Sequence, residues 1–343
     1  MDIKQAIRHL VAGQDLTADE TAALMRMLMT GQSTDAQIAA VLVALQMKGV
    51  KAPELLGAVR VMRELVTPVQ VTVDAHLIDT CGTGGTGADT FNISTSAAMV
   101  AACAGARVAK HGNRGATSKS GSADLLEAAG VRLDLSPAQV ADCIDAVGVG
   151  FMFAPGHHSA MKHVIGPRRE IGIRTLFNML GPLTNPAGAP NQVMGVFDAV
   201  WITPVLDVFN SLGSEHVLVL ASEDGLDEIS ICAPTRVGEL QGGRIENYTV
   251  SPADFGMKQR PDLGILKVDG PEQSLALVRQ ALTYEHEAAG DIVALNAGAA
   301  IYAANLCPDL RAGVKRAQEI LASGAALRKM EELAALTQRM QAT

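Results

Sequence analysis

The residues best suited to chemistry lie in a glycine-rich segment between Asp79 and Thr95. It reads Asp-Thr-Cys-Gly-Thr-Gly-Gly-Thr-Gly-Ala-Asp-Thr-Phe-Asn-Ile-Ser-Thr, with four glycines within six residues. Glycines at this density allow sharp bends and let backbone N–H groups approach a ligand closely. Such N–H groups beside the start of a helix favour anions, above all phosphates. The segment therefore predicts a phosphate-binding loop.

A second segment has the same order of predicted strand, glycine-rich loop and helix, and its loop adds positive charge. A predicted strand at Arg107–Ala109 leads into the loop Lys110–Ser122, whose three cations are Lys110, Arg114 and Lys119. The whole chain carries a net charge of −8, so a phosphate ligand needs such local cations. Neighbouring strands of an α/β sheet bind ligands at their carboxyl ends, so the two loops predict one site. Taken singly, four residues at predicted helix starts are more often helix caps than ligands: Asn92, Ser94, Thr95 and Ser122.

Asp227 and Glu228 are adjacent carboxylates at the end of another predicted strand. Two interpretations stay open. The composition Asp-Gly-Leu-Asp-Glu is typical of a solvated turn, but Mg²⁺ also binds one or two carboxylates together with substrate phosphates. Arg168 is predicted to lie in the first turn of a helix, where the dipole disfavours a cation, and this suggests an anionic partner. Three histidines without metal-ligand spacing are predicted to have core or polar-network roles: His111, His157 and His158.

Two familiar nucleotide-binding templates do not fit the glycine-rich segment. Gly82-x-Gly84-x-x-Gly87 has the spacing of a dinucleotide fingerprint, which requires an acidic residue about 20 positions later. The next strand ends instead in Lys110-His111. A P-loop requires Lys and Ser or Thr after its last glycine, where this chain has Ala88-Asp89. A phosphate site of another kind is therefore predicted.

Composition narrows the class of protein. With 343 residues and 48% hydrophobic residues the chain is long and apolar enough for a large folded core. The net charge of −8 and 3% aromatic residues argue against a nucleic-acid binder. Five scattered cysteines without a C-x-x-C pair indicate neither a disulfide framework nor a zinc site. No signal-peptide pattern or membrane-length apolar run is present, so a cytoplasmic setting is expected.

The elements that position these loops follow from the periodicity of the chain. Residues 1 to 70 read as helices, with capping boxes at Thr17-x-x-Glu20 and Thr34-x-x-Gln37. They predict a small helical domain, which residues from about 165 to 190 would complete. From 71 to 343, strands that alternate with helices predict an α/β domain with a mostly parallel sheet covered on both faces.

Several long motifs occur in a fixed order: Gly82-Thr83-Gly84-Gly85, Asp89 to Thr95, Lys110 to Arg114, Ser118 to Asp124, Arg168-Arg169-Glu170, Asn178 to Pro186, and Asp224 to Glu228. Together they resemble those of the anthranilate phosphoribosyltransferases, enzymes of tryptophan biosynthesis, over essentially the whole chain. The resemblance implies a homodimer formed through the helical domain, with Mg²⁺ as cofactor. It also implies transfer of a phosphoribosyl group from phosphoribosyl pyrophosphate to anthranilate, with no acid, base or nucleophile from the protein.

The resemblance also implies roles for individual residues. Phosphoribosyl pyrophosphate would be held by Gly82, Gly85, Thr86, Thr90, Asn92, Ile93, Ser94, Thr95, Lys110 and Ser122, with charge stabilisation by Lys110. Mg²⁺ would be held by Ser94, Asp227 and Glu228. Anthranilate would contact Asn113 and Arg168. The loop that would fold over both substrates consists of Lys110, His111, Gly112, Asn113, Arg114, Gly115, Ala116, Thr117 and Ser118.

One residue departs from the family pattern, and two rival functions stay open. The family loop usually reads Gly-Thr-Gly-Gly-Asp, whereas this chain has Thr86 at the fifth position. Altered affinity for Mg²⁺ or substrate is expected, since a carboxylate is lost and a hydroxyl is kept. The rivals are a pyrimidine nucleoside phosphorylase, which the Asp227-Glu228 turn disfavours, and a non-catalytic nucleic-acid-binding relative, which should be basic and lack those carboxylates.

Overall fold

The computed structural model describes residues 2–72, 75–115 and 118–341, and it confirms the predicted fold class. The chain begins with four helices. The predicted capping boxes are present: Thr17 and Thr34 accept hydrogen bonds from the backbone N–H groups of Glu20 and Gln37. The bounds of these helices are α1 Ile3–Val11, α2 Ala18–Met29, α3 Asp35–Lys48 and α4 Ala52–Leu65.

Strands and helices then alternate along the described chain. The strands are β1 Leu77–Gly82, β2 Arg107–Gly112, β3 Val149–Phe153, β4 Asn191–Gly195, β5 His216–Ser222, β6 Thr235–Gln241 and β7 Arg244–Val250. The remaining helices are α5 Ile93–Cys103, α6 Ser122–Ala128, α7 Pro137–Val147, α8 Ala154–His157, α9 Ile165–Ile171, α10 Phe177–Leu183, α11 Ile202–Ser211, α12 Pro271–Leu282, α13 Glu287–Ala303, α14 Leu310–Ala322 and α15 Ala325–Arg339. No helix in the described ranges is both long and apolar enough to cross a bilayer.

The described strands form one sheet in the order β3-β2-β1-β4-β5-β6-β7. The first five strands of this order pair in parallel, and β6 and β7 extend the sheet as an antiparallel hairpin. Strand β1 pairs with β2 on one side and β4 on the other, so the strand order reverses at β1. Such a switch point leaves a crevice at the carboxyl ends of the strands, where α/β proteins bind their ligands.

Two large apolar clusters cover the sheet. One is centred on α5 and α13 and also includes side chains of the sheet, α6, α12 and α14. The many alanines of α5 and α13 let these helices pack close to the sheet and to each other. The other joins α1–α4 to α10, α11 and the opposite sheet face, with Leu28, Leu42 and Leu180 among its buried members. The division of the chain into a helical domain and an α/β domain near residue 70 stays a prediction.

Three local expectations from the sequence were wrong. The alternating residues 69–73 predict a strand, and the stretch from Pro167 to the residue before Gly181 predicts a single helix. Residues 69–72 are not a strand, and β1 begins only at Leu77. The single helix expected from Pro167 to the residue before Gly181 is two helices, because Gly172 ends α9 with a left-handed φ of 66° and α10 continues through Pro182. Arg168 therefore lies in the last turn of α9, where the dipole favours a cation, and its position gives no hint of an anionic partner.

Candidate active site

The glycine-rich loop leaves the sheet at the end of β1, and the Lys110 loop leaves it at the end of β2. Strand β2 is three residues longer than predicted, so Lys110, His111 and Gly112 belong to the strand. Residues 83–92 follow β1 and lead into α5, while residues 113–121 follow β2 and lead into α6. The turn that contains Asp227 and Glu228 follows the end of β5, two strands away from β1. The topology alone therefore places three sequence-predicted segments at one edge of the sheet.

The Asp227 turn packs directly on the ends of β1 and β4. A Cβ atom at Gly82 would lie 2.2 Å from Asp227 Oδ2, and one at Gly195 would lie 1.6 Å from the Asp227 carbonyl oxygen. Both distances are far below contact distance, so these positions require glycine for close approach and not for an unusual φ. The two glycines thus set the height of the carboxylate turn above the sheet.

The two carboxylates of this turn are bound to the glycine-rich loop and to α5. Asp227 Oδ2 accepts a hydrogen bond from the Gly84 N–H at 2.8 Å, and Glu228 accepts one from the Ser94 N–H at the start of α5. Burial raises the pKa of Asp227. Burial and repulsion from Asp227 together raise the pKa of Glu228 to about 8. This pair lacks full charge compensation in the described protein, and a bound cation would supply it.

Lys110 lies beneath the glycine-rich loop and is only 2% exposed. Its ammonium donates to the Thr80 carbonyl oxygen and lies 3.3 Å from Ser94 Oγ. Burial lowers the pKa of Lys110, and the nearby carboxylates of Asp79 and Glu228 oppose that shift. A buried cation beside two acidic groups adds fixed positive potential next to the carboxylate turn.

Asn92 has its polar atoms engaged within the protein. Its side-chain oxygen accepts hydrogen bonds from Ser120 Oγ at 2.8 Å and Ser274 Oγ at 2.7 Å, and its amide donates to the Ser120 carbonyl at 3.1 Å. Asn92 therefore connects the glycine-rich loop, the Lys110 loop and α12. In this arrangement it holds the two loops together, and its contact with the sugar donor stays a prediction.

The next residues along the loop begin α5. Thr95 is buried, and its Oγ1 has no hydrogen-bond partner among the described residues. An unpaired buried hydroxyl is costly unless a ligand or water satisfies it, so this atom is available to a phosphate. Ile93 is buried as the first residue of α5, and Thr90 forms an isolated bridge with Lys267.

Asp124 connects two parts of the Lys110 loop by hydrogen bonds. This carboxylate accepts hydrogen bonds from the N–H groups of Gly115 and Gly121, each at 2.9 Å, and pairs with Arg114 at 3.0 Å. Arg114 also pairs with Glu127 at 2.7 Å, so its charge is directed to α6. Ser118 donates to the Ser120 carbonyl within the same loop. Ala116 and Thr117, two predicted substrate contacts, lie outside the described residues.

Asn113 and Ser122 face each other across this loop. Ser122 Oγ donates to the Asn113 carbonyl oxygen at 3.3 Å, while the Asn113 side chain accepts from the Arg114 N–H at 2.8 Å. A Cβ atom at Gly112 would lie 2.1 Å from Ser122 Oγ, so the strand end has no room for a side chain there. The two ends of this loop are therefore packed against each other.

The polar-network role predicted for the histidines agrees with their contacts. His111 Nε2 lies 3.2 Å from His158 Nε2, the His111 backbone N–H donates to the buried Asp79, and His157 Nδ1 lies 3.0 Å from the Thr67 carbonyl. Burial lowers the pKa of His111 to about 3 and that of His158 to about 4. Both imidazoles are therefore neutral at pH 7, and one nitrogen of the pair donates to the other.

This pair predicts loss of stability in acid. The folded-state pKa values lie below the unfolded value near 6.5, so the unfolded chain binds more protons as the pH falls from about 6.5 to 4. We expect His158 alone to account for roughly 2 kcal/mol of unfolding free energy lost between pH 7 and pH 4.5. Urea unfolding of wild type and His158→Gln at both pH values measures the difference. The exposed His9→Gln serves as control, and equal pH dependence in wild type and His158→Gln would contradict the expectation.

Arg168 is partly buried, with its guanidinium 4.8 Å from the centroid of the Phe177 ring. Burial lowers its pKa, and it forms no ion pair with any described residue. An arginine stacked on a ring and left without an acidic partner can bind a carboxylate with both arms of its fork. The stacking also fixes the plane in which that fork lies.

Thr86 lines a cavity that Asp227 and Glu228 do not line. Its Oγ1 accepts a weak hydrogen bond from the Ala88 N–H at 3.4 Å. It lines a cavity between the glycine-rich loop and the segment 261–267, together with Asp224, Gly225 and Lys267. The hydroxyl therefore stabilises a turn within the loop, whereas Asp227 and Glu228 are bound to Gly84 and Ser94.

Comparison with known proteins decides the family. Residues 4–66 match the helical bundle domain of the glycosyl transferase family, and residues 74–327 match its α/β domain. The anthranilate phosphoribosyltransferase of Cellvibrio japonicus is 55% identical over 99% of this chain and 100% of its own length. This chain belongs to the anthranilate phosphoribosyltransferase family.

Other members of the anthranilate phosphoribosyltransferase family support this assignment. The protein of Chromohalobacter salexigens is 56% identical over 98% of this chain and 97% of its own. The crystal structure from Thermus thermophilus has a TM-score of 0.91 and 43% identity, covering 97% of this chain and 99% of that one. The Saccharomyces cerevisiae protein, solved in complex with PRPP and Mg, has a TM-score of 0.88 at 24% identity and covers 98% of each chain. At that identity it supports the fold alone. The predicted family is confirmed.

Sequence reasoning missed several residues of the site. Gly195 ends β4 under the Asp227 turn, Ser274 anchors Asn92 from α12, and Arg174 donates to the Gly85 carbonyl oxygen. Only Gly195 carried a signal, because the sequence from Asn191 to Val196 predicts a strand and Gly195 lies near its end. Ser274 and Arg174 are distant in sequence from the loops that they contact, and their residue types are common in any helix or linker.

Proposed function

We propose that this chain transfers the phosphoribosyl group of phosphoribosyl pyrophosphate to the amine of anthranilate. The products are N-(5-phosphoribosyl)anthranilate and pyrophosphate, and the reaction belongs to tryptophan biosynthesis. The observation that carries the proposal is the contact between the phosphate-type loop and the carboxylate turn, made by the Gly84 N–H and Asp227 at 2.8 Å. Family membership at 55% identity supports the same reaction.

The reaction requires the protein to position the two substrates and to stabilise the charge of the leaving pyrophosphate. Displacement of pyrophosphate from C1 of the ribose builds positive charge on the sugar and negative charge on the leaving group. Anthranilate supplies its own amine as nucleophile, so the protein needs to orient the reactants and stabilise the departing charge. Lys110 lies next to Ser94 and Glu228 and adds fixed positive charge for that purpose. A loop closed over the reactants would also exclude water from the activated sugar.

Mg²⁺ fits the carboxylate turn. Ser94, Asp227 and Glu228 would hold it, because both carboxylates have raised pKa values and Ser94 borders both Lys110 and Glu228. In the described ranges no group of three His, Cys, Asp or Glu residues has metal-binding geometry, so phosphate oxygens and water would complete the shell. The ion would supply positive charge to the pyrophosphate.

Arg168 is proposed to bind the carboxylate of anthranilate. We expect Arg168→Ala to raise the KM for anthranilate by about 10- to 100-fold, the usual effect of losing a charge-assisted bidentate contact. The KM for phosphoribosyl pyrophosphate should change by less than about three-fold, since the guanidinium contacts the acceptor only. Arg169→Ala, an exposed neighbour in the same helix, is the matched control. A larger effect on the donor KM would reject this role.

Thr86 is proposed to tune donor and metal affinity. We expect Thr86→Asp to shift the Mg²⁺ concentration that gives half-maximal activity by about 2- to 10-fold, since it adds one carboxylate to the loop beside the donor. Activity itself should persist, because Asp227 and Glu228 are unchanged. Initial rates over a Mg²⁺ titration measure the shift, with Thr86→Asn as the uncharged control. Identical titrations in wild type and Thr86→Asp would show that the expectation is wrong.

The oligomeric state and the cellular location of the protein are also proposed. A homodimer through the helical domain is supported by exposed apolar side chains on its surface, among them Met47 at 84% and Val11 at 73% exposure. Five free cysteines occur in the described chain, and the cytoplasmic setting expected from the sequence stays a prediction. Sedimentation of the purified protein would decide the oligomeric state.

The test of the proposed function is loss of anthranilate fluorescence in the presence of phosphoribosyl pyrophosphate and Mg²⁺. Consumption of anthranilate that requires both additions supports the proposal. No consumption, together with phosphorolysis of thymidine, would instead assign the chain to the nucleoside phosphorylases. Tight binding to DNA or RNA without either reaction would favour the non-catalytic alternative.

A further inference from the structure

Arg174 is a cation beside the site whose contacts are not explained by the roles assigned above. Arg174 lies in the segment 172–176 between α9 and α10 and is exposed to solvent. No described acidic residue pairs with it. Its guanidinium lies 4.5 Å from the centroid of the Phe197 ring, and Nη2 donates to the carbonyl oxygen of Gly85. The side chain therefore reaches from the helical side of the molecule to the glycine-rich loop.

The ring beneath this arginine is itself fixed to the loop. The Phe197 N–H donates to Thr83 Oγ1 at 3.1 Å, and the Thr83 N–H donates to the Gly195 carbonyl at 2.9 Å. Phe197 also contacts Trp201, with ring centroids 6.5 Å apart. Arg174 thus stacks on an anchored surface, which limits the positions open to its guanidinium.

The hydrogen bond from Arg174 acts on the part of the loop formed by two adjacent glycines with positive φ. Gly84 and Gly85 have φ values of +63° and +76°, a region that few other residues adopt. Asp227 holds the Gly84 N–H from the sheet side, and Arg174 holds the Gly85 carbonyl from the other side. In a planar trans peptide the C=O and the following N–H point in opposite directions. The hydrogen bond to Gly85 therefore also sets the direction of the Thr86 N–H.

We propose that Arg174 is a positioning residue for the pyrophosphate of the sugar donor, acting by fixing the Gly85–Thr86 peptide plane. This inference rests on the proposed function. The arginine holds the loop N–H groups in one orientation before the donor binds, so the donor does not have to order them. Loss of the hydrogen bond leaves the Gly85–Thr86 peptide free to rotate, while Asp227 still holds the Gly84 N–H, and donor binding then includes the cost of ordering that peptide.

The test compares three substitutions at this position in otherwise intact protein. Arg174→Met keeps an unbranched apolar stem but loses the donor, the charge and the stacking of the guanidinium on Phe197. Arg174→Gln keeps a neutral donor, and Arg174→Lys keeps donor and charge. We expect Arg174→Met to raise the donor KM about ten-fold, the effect of one hydrogen bond from a charged group, with the anthranilate KM changed less than about two-fold. Both Gln and Lys should recover part of the loss. Arg169→Met controls for the loss of one nearby exposed charge.

Each other outcome overturns the inference. An unchanged donor KM in Arg174→Met would show that the loop keeps its shape without this contact. Recovery by Lys but none by Gln would show that the charge itself binds pyrophosphate. An equal rise in both KM values, or a lower melting temperature with both KM values unchanged, would show a general structural role. Failure of the proposed function is distinct, because wild type would then consume no anthranilate.

Discussion

Replacing Asp227 with Asn and Glu228 with Gln together is expected to lower kcat/KM for phosphoribosyl pyrophosphate by about 100-fold or more. The amide oxygen of the substituted side chain could still accept the Gly84 N–H, so the loop keeps its hydrogen bond while the turn loses its charge. The two native carboxylates have raised pKa values, and neutral amides at both positions would remove the site for a cation. Initial rates over a Mg²⁺ titration at saturating anthranilate measure the effect.

The matched control for this double substitution is Glu223→Gln. Glu223 lies in the same turn region but is exposed, with only a long surface pairing to Arg236 at 3.6 Å. It should leave the Mg²⁺ dependence unchanged. An unaltered Mg²⁺ dependence in the double variant, with the melting temperature of wild type, would remove Asp227 and Glu228 from the metal site.

Lys110→Met is expected to lower kcat by about 100- to 1,000-fold, similar to the loss of one well-placed charge donor in other enzymes. Methionine fills most of the same buried space but leaves Asp79 and Glu228 without the nearby cation. The Thr80 carbonyl and Ser94 Oγ would also lose their contact with Nζ. Single-turnover rates at saturating donor separate this effect on chemistry from an effect on binding.

Burial makes a stability control necessary for Lys110. Asp79 is fully buried, and a buried carboxylate that loses its compensating charge can destabilise a protein by about 3–5 kcal/mol. Melting temperatures are therefore compared for wild type, Lys110→Met and the exposed Lys315→Met. The substitution Lys110→Arg tests the charge alone. A folded Lys110→Met with wild-type kcat would contradict the role of this cation.

Local patterns explain why so much of the site was predictable. Capping boxes such as Thr17-x-x-Glu20 act within one helical turn, so the sequence alone predicts them. The density of glycines between Gly82 and Gly87 likewise predicts a sharply bent backbone that a ligand can approach closely. Alternation of strands and helices predicted a parallel sheet, and a parallel sheet collects its strand ends at one edge. The meeting of the glycine-rich loop with the Asp227 turn then follows from topology.

Contacts between distant segments were not predictable in the same way. The hydrogen bonds that Ser120 and Ser274 donate to the Asn92 side-chain oxygen join segments far apart in the sequence, and no local pattern predicts them. The ion pairs of Arg114 with Asp124 and Glu127 were not predicted either, and its contact with substrate stays a prediction. The break after α9 depends on Gly172, and a lone glycine in a helical pattern does not by itself end a helix.

The close packing of the carboxylate turn on the strand ends has a consequence for protein engineering. At Gly82 and Gly195 even one added carbon would overlap Asp227, so a library that varies either position would return mostly unfolded or displaced turns. At Gly84 and Gly87 the space beside the backbone is open, and only the positive φ restricts the choice. Asparagine and aspartate tolerate that conformation best after glycine. Attempts to change the preferred metal ion should therefore start at Gly84, whose N–H already contacts Asp227.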